Sequence, residues 1–118
     1  MRVKYLLVGG YAVAYYGYPR YTKDIDIWIE CEERNAEKII KLLKDFGFSS
    51  ENLKKEDFLK EENIIQLGYP PTRIDILTSI DGVNFKECYD RKNTIAIDDV
   101  EVNIIDIEDL KKNKKASK

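Results

Sequence analysis

The stretch GGYAVAYYGYPRYTKDIDIWIE, residues 9–30, decides how the rest of the chain is read. A glycine pair, a short helix-like run and a basic turn lead into two aspartates that alternate with isoleucines. Side chains of a strand alternate between its faces, so Asp24 and Asp26 share one face while Ile25 and Ile27 share the other. The two carboxylates therefore point the same way.

Outward from that strand the chain alternates between strand and helix signals. VKYLLVG (3–9) is rich in branched and aromatic residues and stops at glycine, the pattern of a buried strand, and a short helix is expected from Gly10 to about Tyr16, ended by Gly17 and Pro19. Residues 24–30 form the second strand. In CEERNAEKIIKLLKDFGF (31–48) the apolar residues Ala36, Ile39, Ile40 and Leu43 fall at helical spacing, with Gly47 as the stop. Residues 49–62 are highly charged and read as helix or loop, anchored by Leu53, Phe58 and Leu59. IIQLG (64–68) is a short strand, YPPT (69–72) a turn, and RIDILTS (73–79) a strand whose alternation sets Arg73, Asp75 and Leu77 on one face. GVNFKECYDR (82–91) suggests a short helix. TIAI (94–97) and VEVNII (100–105) bracket Asp98-Asp99 as a hairpin, and DIEDLKKNKK (106–115) is a helix opened by Asp106 with Asp109 in its first turn. This order predicts one α/β or α+β domain over residues 1–118, a mixed sheet with helices packed on it.

Composition narrows the chemistry. With 118 residues, 43% of them hydrophobic and 36% charged, the chain suits a single globular core. No run approaches the roughly 18 apolar residues of a membrane span, and no leader pattern opens the chain, so the expected location is the cytoplasm with no membrane partner. Histidine is absent, which removes the commonest general base and zinc ligand and every Ser-His or Cys-His arrangement. Cys31 and Cys88 lack metal-ligand spacing. The five lysines after residue 110 carry +5 of a total of −2, leaving the first 110 residues at −7. A body that acidic is no general nucleic-acid binder on charge grounds. Chemistry must rest on carboxylates, lysines, arginines, tyrosines or a carboxylate-bound metal.

Three aspartates stand out as candidates: Asp24, Asp26 and Asp75, each beside isoleucines in an alternating strand. If their strands are neighbours the carboxylates converge, and two such charges ~4 Å apart repel by roughly 4 kcal/mol at an effective dielectric near 20, so the group needs a cation or a proton. Oxygen-only sites suit magnesium or manganese, and a pair of such ions can clamp the attacking and leaving oxygens of phosphoryl transfer. Gly9 and Gly10 stand at a strand-to-helix junction, where missing side chains let the backbone approach a phosphate, and Arg20, Thr22 and Lys23 can add phosphate contacts. Taken singly, each motif is as well read as an amphipathic strand with a wet face or as a plain turn. Their order and spacing carry the functional reading.

The glycine pair, thirteen residues, D-x-D and a later strand acid resemble the DNA polymerase β-like nucleotidyltransferase superfamily. More narrowly, LLVGGYAVAYYGYPRYTKDIDIWIE, RIDILTSIDGVNF and IEDLKKNKKAS resemble its small prokaryotic minimal and abortive-infection-type branch. The resemblance implies that Asp24 and Asp26 bind two magnesium or manganese ions, that Asp75 completes one metal site and helps deprotonate an acceptor hydroxyl, and that Gly9 and Gly10 hold the β- and γ-phosphates. It implies transfer of a nucleoside monophosphate, AMP from ATP, to a hydroxyl of a protein, RNA or small molecule, with release of pyrophosphate. Two departures stand against the pattern. Gly10, followed by Tyr11, stands where many members carry serine after the first glycine, and helices that relatives add at both ends are not expected here.

A second expectation is an antitoxin-like subunit that binds a toxin protein with little or no catalysis, through an exposed sheet edge or apolar face. A third is a modifier of cationic small molecules, suited by the acidic body but short of a second domain. Six of the eight tyrosines lie within residues 1–21, where they can pack the short helix or stack a base. Arg73 can contact substrate or pair with a site carboxylate, and Lys114 and Lys115 reach the nucleotide phosphates if the last helix folds over the cleft. The acceptor, the preferred base and the oligomeric state stay open.

Overall fold

Leu6, Leu7 and Val8 are buried in succession, which a strand permits only where both of its faces are covered. That strand, β1 (Tyr5–Val8), lies inside a six-stranded mixed sheet of the computed structural model, which describes residues 2–17, 24–48, 53–68 and 73–117. On one side β2 (Asp24–Ile29) runs antiparallel to it, and beyond β2 come β4 (Arg73–Leu77), parallel to β2, and the edge strand β3 (Ile64–Leu67), antiparallel to β4. On the other side β6 (Val100–Ile104) pairs parallel with β1 and carries β5 (Asn93–Ile97) as the opposite edge. The order across the sheet is β3-β4-β2-β1-β6-β5. The α+β architecture expected from the sequence is thus observed, with helices α1 (Gly9–Tyr15), α2 (Glu33–Asp45), α3 (Phe85–Asp90) and α4 (Ile107–Ala116) packed on the sheet.

Local chemistry explains each element. In α2, Ala36 and Ile39 are buried one turn apart, Ile40 and Leu43 extend the same stripe, and Glu32 accepts from the backbone N–H of Arg34 and Asn35 to cap the first turn. Buried Asn35 then ties the helix to the sheet: its Oδ1 accepts from Lys4 N–H at 2.8 Å while its Nδ2 donates to the carbonyls of Lys4 and Glu30. The β5–β6 hairpin turns on Asp98 and Asp99, both in the left-handed region at φ 50° and 67°, the conformation of a two-residue turn whose twist matches its strands. In the charged stretch that sequence left between helix and loop, Lys55–Phe58 form one 3-10 turn that buries Phe58 completely. Residues 49–52, and the expected turn at 69–72, lie outside the described residues.

Two apolar clusters result. Leu6, Val8, Trp28, Cys88 and Ile104 pack with Ala12 of α1 and Leu110 of α4, while Ile29, Ile76, Leu67 and Phe58 pack with Ala36 and Ile39 of α2. Trp28 shares the strand phase of Asp24 and Asp26, and Leu77 shares that of Asp75, so the face carrying the aspartates becomes apolar farther along both strands. Among the described residues no helix is long and apolar enough to cross a membrane.

Helix α4 is held by two devices. Asp106 caps it, accepting from Glu108 N–H at 3.0 Å, and Asp109, expected only as a first-turn partner of the helix dipole, is fully buried in a bidentate pair with Arg91, with distances of 2.9 and 3.1 Å. Burial, and then the nearby Asp109, push the Cys88 thiol up to about 11, so this cysteine stays protonated and serves as core packing. Farther along, Gly82 (φ 82°) lets the loop after β4 touch the helix, since a Cβ there would lie 2.6 Å from Ala116 Cβ, and Asn113 Nδ2 donates to the Asp81 carbonyl at 2.9 Å.

Removing Arg91 leaves the Asp109 carboxylate buried without its partner, which costs more than the pair itself contributes. Arg91→Met is therefore expected to lower the urea midpoint, and adding Asp109→Asn to recover part of the loss. Additive effects of the two substitutions would contradict the coupling.

Candidate active site

The site grows from one register. Parallel pairing sets Asp24 opposite Arg73 and Asp26 opposite Asp75, while antiparallel pairing with β1 sets Val8 opposite Asp26. Three of the predicted site residues, Asp24, Asp26 and Asp75, are thereby brought to one face at the starts of β2 and β4. Gly9, the residue after Val8, is the fourth member of the same corner.

Gly9 has φ 69°, and a Cβ added to it would collide with the Asp26 carboxylate. Both facts demand glycine: a left-handed backbone and no side chain. The place that a Gly9 side chain would fill is occupied by the Asp26 carboxylate. Helix α1 begins at this residue, and its N-cap Val8 makes no side-chain capping bond.

Electrostatics at the corner follow from that crowding. Burial holds the Asp26 carboxyl above the usual carboxylate range, and the neighbouring charges of Asp75 and then Asp24 push in the same direction, against the pull of Lys114 and Arg73. Arg73 bridges its strand partner and a neighbour on its own strand: Nη2 lies 2.8 Å from Asp24 Oδ2, and Nε lies 3.2 Å from Asp75 Oδ1. The first contact is an aligned hydrogen bond. The second is unaligned at Nε and Oδ1, which find no hydrogen-bond partner, and Asp75 is held instead by a longer bond in which Arg73 Nη2 donates to its Oδ2 at 3.4 Å. Asp75 is the more enclosed of the two acids, 13% exposed against 36% for Asp24.

Lys114 comes to the corner from α4, fixed by the Asn113 and Gly82 contacts described above. It lines a polar cavity of about 260 Å³ together with Val8, Gly9, Asp26, Ser79 and Asp81. It also lines a larger groove of about 400 Å³ between α1 and α4, floored by Val13, Tyr16, Ile107 and Leu110. The larger space is the more apolar and lacks the aspartates, so the smaller one is the candidate for chemistry. Lys115 borders only the groove. Ser79, Asp81 and Asn113 were not singled out from sequence, although Thr78-Ser79-Ile80-Asp81-Gly82 carries a turn signal that a topology would have converted into a cavity wall.

The donor set is chemically suited to a hard divalent cation, being carboxylate oxygen throughout, and the surplus negative charge at Asp26 asks for one. As arranged, Arg73 fills that need for Asp24 and Asp75, and no group of three acidic or thiol side chains among the described residues is gathered closely enough to hold a metal ion. The three carboxylates fit the cation in kind, Asp26 as it stands and Asp24 and Asp75 once Arg73 yields.

Other predicted residues divide plainly. Gly10 follows Gly9 in the first turn of α1, half-buried. Arg20, Thr22 and Lys23 lie outside the described residues. Tyr16 packs rather than stacks a base: its hydroxyl donates to the Ile105 carbonyl at 2.6 Å and accepts from Asn93 Nδ2, and burial raises its pKa. Tyr11 and Tyr15 are exposed.

No protein-family model matches the chain, and no curated protein is similar to it in sequence. Its fold is similar to the crystal structure of a candidate nucleotidyltransferase from Thermotoga maritima, with a TM-score of 0.65 over 99% of this chain and 73% of that one, at 18% sequence identity. At that identity the likeness establishes architecture, and the chain has a nucleotidyltransferase-like fold.

Proposed function

We propose that the chain is a metal-dependent nucleotidyltransferase of the small prokaryotic minimal or abortive-infection type, one that moves a nucleoside monophosphate, AMP from ATP, to a hydroxyl of a protein, RNA or small-molecule acceptor. The observation that carries this reading is the corner itself: Asp26 level with Asp75, seated on Gly9, at the wall of a cavity that Lys114 closes from α4. A structural strand with a wet face has no need to force glycine into a left-handed conformation beside a raised carboxyl. The likeness of fold to a candidate nucleotidyltransferase supports the same reading.

The roles follow from charge and position. The acceptor oxygen forms a bond to the α-phosphorus, the bond from that phosphorus to the bridging oxygen breaks, and pyrophosphate leaves with the electron pair. Asp75, the more enclosed carboxylate, takes the hydroxyl proton. Asp24, Asp26 and Asp75 are the residues that would hold magnesium or manganese, which when bound neutralises phosphate charge and aligns the two oxygens. Lys114 supplies a fixed positive charge for the polyphosphate, and Gly9 and Gly10 offer backbone N–H groups at the start of α1. Positioning and preorganised charge do most of the work in such a reaction.

A second reading, an antitoxin-like binding subunit, draws on apolar side chains left exposed on the edge strands, Ile64 on β3 and Ile97 on β5, and on Val100 opposite Ile97 on β6. The two readings part on the Asp24→Asn/Asp26→Asn/Asp75→Asn variant. Retention of partner binding and of toxin neutralisation by that variant would favour binding over catalysis.

The site is built at a cost in stability. Because the folded carboxyl of Asp26 is raised above its unfolded value of about 3.9, its contribution to stability is complete below that pH and is lost as pH rises through the raised value. In chelator, Asp26→Asn is therefore expected to melt above the wild type at pH 7, with the difference closing toward pH 4. Thermal unfolding across that range checks it, and a variant that melts lower at pH 7 would contradict the repulsion. In ATP-dependent transfer assays Asp26→Asn and Asp75→Asn should each lose about 10²- to 10⁴-fold in rate with the fold intact. Wild-type transfer by either would overturn the mechanism. Gly9→Ala should destabilise by more than about 1 kcal/mol, since alanine meets both the positive φ and the Asp26 carboxylate.

A further inference from the structure

We infer that Arg73 is the built-in counter-ion of this site, and that a divalent cation enters by exchange with its guanidinium. The inference rests on the transferase reading for the presence of a metal, and adds to it an occupant that must give way.

Two observations and one chemical property carry it. Arg73 lies in register with Asp24 on the neighbouring parallel strand, and its head bridges Asp24 at 2.8 Å and Asp75 at 3.2 Å, two of the three acids expected to bind the metal. A guanidinium cannot lose its proton in a protein, so it leaves those carboxylates only by moving. Its hold is also uneven: Nη2 donates to Asp24 Oδ2 at 2.8 Å but to Asp75 Oδ2 only at 3.4 Å, and Nε faces Asp75 Oδ1 without hydrogen-bond alignment. The weaker contact is thus on Asp75, the enclosed acid beside Asp26.

The side chain has somewhere to go. Arg73 is 31% exposed, and its backbone is fixed by strand pairing, so the head can turn toward water without disturbing the sheet. A hard cation with two charges and short bonds to oxygen satisfies the same carboxylates more fully than a single delocalised charge. Until it arrives, the Arg73 charge between Asp24 and Asp75 offsets part of their mutual repulsion. The exchange makes nucleotide-free metal binding weaker than the carboxylates alone would give, and Arg73 is a positioning residue that keeps the site folded before substrate arrives.

The test is titration of the intact chain with Mn²⁺ alone, read by loss of the free-ion paramagnetic resonance signal, for wild type, Arg73→Gln and Arg73→Lys. Arg73→Gln should bind Mn²⁺ about tenfold more tightly than wild type, Arg73→Lys should fall between them, and adding Asp75→Asn to Arg73→Gln should abolish the gain. Equal or weaker binding by Arg73→Gln would overturn exchange and leave Arg73 as a prop for the carboxylates. Should Arg73→Gln fail to fold, Arg73→Lys decides: tighter binding than wild type supports exchange, and equal or weaker binding overturns it. The outcome separates the two readings, because a gain in Mn²⁺ affinity without any nucleotide transfer removes the enzyme and keeps the exchange. Transfer that depends on Asp75 with no gain in affinity does the reverse.

Discussion

Two carboxylates at the same level of hydrogen-bonded parallel strands repel each other, and one end of this sheet is organised around that repulsion. Asp26 and Asp75 are set opposite by the β2–β4 register, and the pairing cannot slip by one residue without turning Ile25, Ile27, Ile74 and Ile76 out of their packed positions. The apolar alternation thus fixes the acidic one. Every notable feature nearby answers the resulting charge: Gly9 makes room for it, Arg73 bridges its flank, and Lys114 approaches from α4.

How much of this was legible in the sequence depends on the range over which each feature is encoded. The strands and helices are local patterns, and Ile25/Ile27 against Asp24/Asp26, the stripe of Ala36, Ile39, Ile40 and Leu43, and the Asp98-Asp99 turn all read correctly because periodicity and turn chemistry act over a few residues. The convergence of Asp75 with Asp26 could be raised only as a condition, since strand order is a property of the whole sheet. Gly9 was chosen for a partly different reason from the one found. Missing side chains near a helix start suggest a phosphate, whereas the steric demand of Asp26 appears only when residues seventeen apart are brought together.

Asp109 illustrates the same limit from another side. In sequence it is an acid in the first turn of a helix, a position that the dipole alone explains. In the fold it is a buried acceptor for Arg91, eighteen residues earlier, and it charges the surroundings of Cys88. Nothing in the spacing of the two residues announces the pair. Its consequence reaches the site, because the pair and the Asn113 bond to Asp81 set the position of α4, and α4 carries Lys114 to the cavity wall.

Such an arrangement concentrates unfavourable terms where function is proposed and favourable ones elsewhere. Around Asp26 the fold keeps a raised carboxyl, a left-handed glycine and an ion pair aligned only in part, while the far ends of the same strands bury Trp28, Ile29 and Ile76. Local choices that conflict with stability persist when the surrounding structure over-determines them, and they collect at sites that await a ligand. That all three departures meet within one corner is the physical reason to regard the corner, and not the fold likeness alone, as the basis for function.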